Sequence, residues 1–262
     1  MRFCKNTFAH VGAFYTTERK LDPAARKCYT VDNNKDTSKE EGDAMEHTLY
    51  FLPTDMDLPP ETVDALLARV SPARRAKIAA LRRAADARNA LLAAVAVRLL
   101  AAEARGAENG QLQFACTDAG KPYLIGAPDF CFSLSHTDGA VALAVSPIAV
   151  GADIERIREA PRGVAARFFT REEQAYCAAS DAHFFEVWTR REALAKRTGT
   201  PLAETFAASR RGKTADSTVT RIFRADDFML AVASDAAAAF SLCRLNADDL
   251  VRAALERLAP LG

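Results

Sequence analysis

Four residues in two short stretches have types and spacing suited to joint chemistry. Val150-Gly151-Ala152-Asp153-Ile154-Glu155 reads as a strand. Side chains two apart in a strand share a face, so Asp153 and Glu155 project together while Ile154 points into a core. Two carboxylates side by side repel unless a cation neutralises them, and a hard divalent ion with oxygen ligands, such as Mg²⁺, does so economically. Trp188-Thr189-Arg190-Arg191-Glu192-Ala193-Leu194-Ala195-Lys196 reads as a helix, with Glu192 and Lys196 four apart on one face. A third carboxylate and an ammonium beside such an ion suit phosphate chemistry, where negative charge must be stabilised and a proton moved. Each piece alone is ordinary. An Asp-x-Glu at a strand end is usually solvated, and a Glu/Lys pair at i,i+4 is normally a weak surface ion pair. The joint pattern is what singles them out.

Other candidates surround this set. Arg69, Arg74, Arg75, Lys77, Arg82, Arg83 and Arg88 are opposed in their stretch only by Asp86. Such a stripe is either a solvated helix face or a nucleic-acid patch, though no recognised DNA- or RNA-binding motif and little aromatic interleaving accompany it. Lys121 sits at a hairpin turn. Ser135-His136 ends a strand, and adjacent strand residues point to opposite faces, so these two cannot form a nucleophile–base pair. There is no Gly-x-Ser-x-Gly elbow either, which disfavours a serine hydrolase. Trp188, the single tryptophan, is expected to pack the Glu192 helix onto a sheet.

The elements that must position these residues can be read in outline. Helices are expected over 60–70, from Ser71-Pro72 onward, from Asp86 to just before Gly106, from the capping box Thr170-Arg171-Glu172-Glu173 to about 180, from about 182 to Gly199, and from Asn246. Strands are expected at 49–52, 111–116, 123–125, 130–135, 141–146, 149–155, 205–209, 219–223, 228–233 and 240–244. Alternation in the 130–135 strand puts Phe130, Phe132 and Leu134 on one face. Short helices mixed with antiparallel strands argue an α+β fold.

The chain has 262 residues, 49% of them hydrophobic, and a net charge of +1, so global charge points to no partner. Six scattered cysteines with no Cys-x-x-Cys and only four histidines disfavour a zinc site, and reduced cysteines are the default expectation. No apolar run is long enough to span a bilayer, and no convincing signal peptide opens the chain. Residues 1–45 are polar and mixed in charge and are expected to be a disordered or dispensable leader, with Met45 a candidate start.

Gly120-Lys121-Pro122-Tyr123, Phe132-Ser133-Leu134-Ser135-His136, Gly151-Ala152-Asp153-Ile154-Glu155, Arg167-Phe168-Phe169 and Trp188 to Lys196 occur in order at close spacing. This resembles the surfactin-type (Sfp-type) 4′-phosphopantetheinyl transferases, whose pattern is Gly-Lys-Pro, Asn-Leu-Ser-His, Gly-Val-Asp-Ile-Glu and Trp-x-x-Lys-Glu-Ala-x-x-Lys. Ser133 departs from the usual Asn and Arg191 from the usual Lys. The resemblance implies two similar α/β subdomains related by a pseudo-two-fold, here 46–146 and 147–262. It implies transfer of the phosphopantetheine arm of coenzyme A to a serine of an apo acyl or peptidyl carrier protein. It implies Mg²⁺ on Asp153, Glu155 and Glu192, with Glu192 taking the serine proton and Lys196 neutralising or protonating the leaving phosphate. Arg74, Lys77, Lys121, Ser135, His136 and Lys196 would hold coenzyme A, Arg74 and Lys77 at its 3′-phosphate. A cytoplasmic monomer with neither nucleic-acid nor membrane partners is expected. Two alternatives stay open at this point: a non-catalytic coenzyme A or carrier-protein binding module, and nucleic-acid binding through the 69–88 stripe.

Overall fold

The computed structural model describes residues 47–212, 218–235 and 237–261, and the backbone of 15–16 and 27–30. In chain order its strands are β1 (Tyr15–Thr16), β2 (Lys27–Thr30), β3 (Thr48–Pro53), β4 (Phe114–Cys116), β5 (Pro122–Leu124), β6 (Cys131–Thr137), β7 (Ala140–Ser146), β8 (Gly151–Arg156), β9 (Thr218–Ala225), β10 (Phe228–Asp235) and β11 (Ser241–Arg244). Its α-helices are α1 (Pro60–Leu67), α2 (Pro72–Ala79), α3 (Ala84–Arg105), α4 (Arg162–Phe168), α5 (Arg171–Cys177), α6 (Asp181–Thr198), α7 (Leu202–Arg210) and α8 (Ala247–Arg257).

These elements stack as helices, sheet, sheet, helices. A six-stranded sheet runs β1-β2-β11-β3-β7-β6, and a three-stranded sheet runs β8-β10-β9. Only the β11–β3 pair is parallel within the two sheets. Alternation along the strands decides which residue enters which layer. Val141, Leu143 and Val145 of β7, with Tyr50 and Leu52 of β3, face the layer of α1, α3 and α8. The intervening Ala140, Ala142 and Ala144, with Leu49 and Phe51, face Ala152 and Ile154 of β8 and Leu230 and Val232 of β10. Small alanines let the two sheets approach closely. On the far side α6 lies across β8 and β10. There Phe184, Phe185 and Val187 of α6 join Phe206 of α7 and Met229 of β10. Burying one such large side chain stabilises the fold by about 1.5–3 kcal/mol.

α3 is apolar on nearly all sides and correspondingly buried. Its one interior cation, Arg98, is satisfied rather than solvated: Nε donates to Asn109 Oδ1 at 2.7 Å and Nη2 to Asn109 O at 3.0 Å. Near the start of α3, Asn89 accepts from Thr54 Oγ1 at 2.6 Å and donates to Thr137 O at 2.8 Å, fixing the end of β6.

Several expectations of the sequence are met, among them the α+β class, the inward Phe130 and Phe132, the Thr170–Glu173 capping box and Gly199 as the left-handed stop of α6 (φ 71°). Residues 205–209, expected as a strand, lie instead in α7. Pro201 sets the entry, the Leu-Ala-Glu-Thr-Phe-Ala-Ala run favours helix, and Thr205 Oγ1 bonds back to Pro201 O at 3.4 Å. The expectation of a leader in 1–45 falls largely outside the described residues. At its two described stretches the backbone is paired, β1 to β2 and β2 to β11. The default of reduced cysteines holds for Cys116, Cys131 and Cys177, whereas Cys243 is disulfide-bonded. No helix among the described residues is long and apolar enough to cross a membrane.

Candidate active site

The candidate site forms where β6, β8 and α6 meet. On β8, Ala152 and Ile154 enter the inter-sheet core, so the alternate residues Gly151, Asp153 and Glu155 face α6. Glycine at 151 is required by contact. A Cβ there would stand 2.0 Å from Ala193 O and 2.3 Å from Arg197 N, both helix backbone. The helix is therefore seated directly on the strand, and its Glu192–Lys196 face is brought over Asp153.

Lys196 Nζ donates to Asp153 Oδ1 at 2.7 Å and to Ser135 Oγ at 2.8 Å, and stands 4.0 Å from Glu192 Oε2. Ser135 Oγ in turn donates to Asp153 Oδ1 at 2.7 Å. Alternate hydroxyls of β6 all turn to β8. Ser133 Oγ accepts from Ala152 N at 2.9 Å, Ser135 takes Asp153, and Thr137 Oγ1 donates to Glu155 Oε2 at 3.4 Å. The two sheets share no backbone ladder at this seam, and serine and threonine hydroxyls join them instead. Arg158 adds an exposed ion pair to Glu155 at 3.6 Å.

The carboxylates outnumber the cations that touch them, and their acidities respond. Burial raises the Asp153 carboxyl above its usual range, against the opposing pull of Lys196, Ser135 and the Ile154 backbone. Burial, then repulsion from Asp153, raises Glu155. Glu192 is pushed up to about 7, chiefly by burial and then by Asp153, with Lys196 opposing and Glu155 adding. Asp153 Oδ2 is buried without a hydrogen-bond partner. An orphaned hard oxygen among mutually repelling carboxylates fits a divalent cation in donor chemistry. In the side-chain positions present, with Lys196 on Asp153, no three His, Cys, Asp or Glu side chains among the described residues are gathered as a metal cluster.

A basic side chain of β6 feels the charges of Lys196 and of Arg74 on α2. His136, exposed at the end of β6, is lowered in pKa first by partial desolvation, with Asp86 opposing and Lys196 and Arg74 adding. The charges of Asp86, Lys196 and Arg74 are therefore near enough to act on His136. Arg74 follows the Ser71 cap of α2, whose hydroxyl accepts from Arg74 N at 3.3 Å. Its own pKa is lowered by desolvation, and its Nη2 reaches only Ala90 O, at 3.4 Å. Arg74 has no ion pair among the described residues. Lys77 lies on the same helix and is exposed.

Other expected site residues are placed differently. The Lys121 ammonium donates to two backbone carbonyls, Val150 O at 2.8 Å and Arg197 O at 3.3 Å. Ser135 is engaged with Asp153 and Lys196. Trp188 packs as expected of a structural residue, though among helices, 5.5 Å from Phe206 of α7 and 6.1 Å from Phe184. Arg191 turns to Glu173 of α5. The Ser133 and Thr137 roles escape the sequence reading. Their signal was the alternation Ser-Leu-Ser-His-Thr, which sets three hydroxyls on one strand face.

Residues 149–243 match the family model described as 4′-phosphopantetheinyl transferase superfamily, and residues 59–148 match that described as 4′-phosphopantetheinyl transferase, N-terminal. The chain belongs to the 4′-phosphopantetheinyl transferase superfamily and is of the Sfp type. It is similar to a 4′-phosphopantetheinyl transferase of Bacillus subtilis, 28% identical over 160 residues, or 59% of this chain and 71% of that one. It is also similar to 4′-phosphopantetheinyl transferase psf-1 of Bacillus pumilus, 34% identical over 142 residues, or 52% and 61% of the two chains. Over 119 residues it is 32% identical to 4′-phosphopantetheinyl transferase gsp of Aneurinibacillus migulanus, covering 44% and 49%.

Proposed function

We propose that this protein transfers the 4′-phosphopantetheine arm of coenzyme A to a serine hydroxyl of an apo acyl or peptidyl carrier protein. The products are the holo carrier protein and adenosine 3′,5′-bisphosphate. The observation that carries this reading is the junction of β6, β8 and α6, where Asp153, Glu192 and Lys196 meet with Glu155 alongside, and where Lys196 and Arg74 both act on His136.

In this reading Arg74, with Lys77 beside it on α2, grips the 3′-phosphate of coenzyme A. His136 and Lys196 line the pyrophosphate, which suits a transition state whose catalysis is mostly positioning and charge stabilisation. Asp153, Glu155 and Glu192 would hold Mg²⁺, which when bound supplies positive charge against the pyrophosphate. Glu192 takes the proton of the attacking serine, directly or through water. Lys196, fixed by Ser135 and Asp153, neutralises or protonates the leaving phosphate. Residues 46–146 would contribute the phosphate contacts, and the helix and strand after 147 the carboxylates. We further propose a cytoplasmic monomer with no nucleic-acid partner. The test is mass spectrometry of a panel of apo carrier proteins incubated with this protein, coenzyme A and Mg²⁺. A mass gain of one phosphopantetheine arm on the carrier serine is expected, and no gain on any carrier would overturn the reading.

A further inference from the structure

The sequence led us to expect Lys121 on a nucleotide phosphate, yet its ammonium is engaged elsewhere. It leaves the turn before β5 and ends between two carbonyls. One is Val150 O, immediately before β8, at 2.8 Å, and the other is Arg197 O, in the last turn of α6, at 3.3 Å. These carbonyls flank the place where strand and helix are closest, since Gly151 lies against Arg197 N and Ala193 O. Val150 is three residues before Asp153, and Arg197 is next to Lys196. An ammonium at a helix C-terminus is also favoured by the partial negative charge of the unsatisfied carbonyls there. The side chain is partly buried in this position.

We propose that Lys121 is a positioning residue: it clamps the start of β8 to the end of α6, and so sets Asp153 and Lys196 at their contact distance, rather than binding the cosubstrate. Its catalytic consequence rests on the transferase reading above. The clamp itself does not.

Two readouts separate clamp from phosphate ligand. Lys121→Met keeps the aliphatic stem and removes the donors. Hydrogen exchange at the amides of 151–153 and 197–200 should quicken by about tenfold or more, because the elements there lose a charge-assisted tie. The dissociation constant for coenzyme A, measured by calorimetry, should stay within about threefold, while kcat falls about tenfold or more. Lys121→Arg, which retains cationic donors on a long stem, should recover the slow exchange. If Lys121→Met folds poorly, Lys121→Gln, with a neutral donor on a shorter stem, should show the same exchange pattern. Unchanged exchange at 151–153 and 197–200 overturns the clamp. So does a loss of coenzyme A affinity of about tenfold with exchange unaltered, which would make Lys121 a phosphate ligand. If wild-type protein modifies no carrier protein, the transferase reading fails while the exchange measurement still decides the clamp.

Discussion

Lys196 on α6 donates to Asp153 Oδ1 on β8 at 2.7 Å, and the carboxylate it meets is almost wholly buried while the lysine is about a third exposed. The pair is therefore asymmetric: losing the lysine strands a buried charge, whereas losing the carboxylate leaves an ammonium that can turn to water.

Lys196→Met should accordingly destabilise the protein at neutral pH by about 2 kcal/mol. That lies below the roughly 3–5 kcal/mol of a fully buried broken pair, because solvent already reaches Lys196. Asp153→Asn should cost less, and the double variant should recover most of the loss. Urea denaturation of the four proteins in a double-mutant cycle measures the coupling. Additive losses would show that Lys196 does not neutralise Asp153.

Glu192, raised to about 7 in the folded protein, binds a proton that the unfolded chain has already released. Folded protein thus carries more protons than unfolded between the ordinary glutamate value and about 7, and stability falls as pH rises through that window. Without divalent ions the loss should be on the order of 2 kcal/mol between pH 4.5 and 7, with Glu155 shifting in the same direction. Glu192→Gln should flatten the slope. Added Mg²⁺ should raise the melting temperature most at the alkaline end, where the carboxylates are ionised. Thermal denaturation across pH, with and without Mg²⁺, checks both.

Gly151→Ala should be among the most damaging single-methyl additions in the chain. Its Cβ meets helix backbone at 2.0 Å, which cannot rotate away. A cost of about 3 kcal/mol or more is expected, at the upper end for overpacking, together with lost activity. Gly163→Ala, in α4 with nothing within 4 Å, should be neutral or stabilise by up to about 1 kcal/mol. Urea midpoints of the two variants make the comparison.

Arg74→Ala should raise KM for coenzyme A about tenfold or more while barely changing that for 3′-dephospho-coenzyme A, since a charge-assisted hydrogen bond is worth roughly 1.5–3 kcal/mol. Equal losses with both cosubstrates would remove α2 from the 3′-phosphate. A nucleic-acid reading of the same stripe makes a different forecast: weaker, less salt-dependent binding of duplex DNA with coenzyme A kinetics untouched.

Much of the site was legible because it rests on local periodicity. Alternation put Asp153 and Glu155 on one side of a strand, and spacing by four put Glu192 and Lys196 on one side of a helix. The contacts of Lys121 are not legible there for the opposite reason. Its partners, Val150 and Arg197, lie 29 and 76 residues away, and they are backbone carbonyls, which leave no mark in a sequence. Ser133 looked like a mere departure from a pattern, and only packing reveals that its hydroxyl receives the Ala152 amide. The 205–209 stretch failed because Thr-Phe followed by small residues fits either period when it is short, and the buried face of α7 decided the matter.

β11, near the end of the chain, lies between β2 and β3, and α8 packs into the same core as α3. The sheet begun by the early strands is thus completed only by a strand made almost last. During synthesis β3, β6 and β7 must wait, with one edge of β3 open, while roughly a hundred further residues emerge, and loop closure over such a distance is slow. Nascent chains stalled before residue 241 should therefore be the species that recruits chaperones and that proteases cut, however stable the finished protein proves to be.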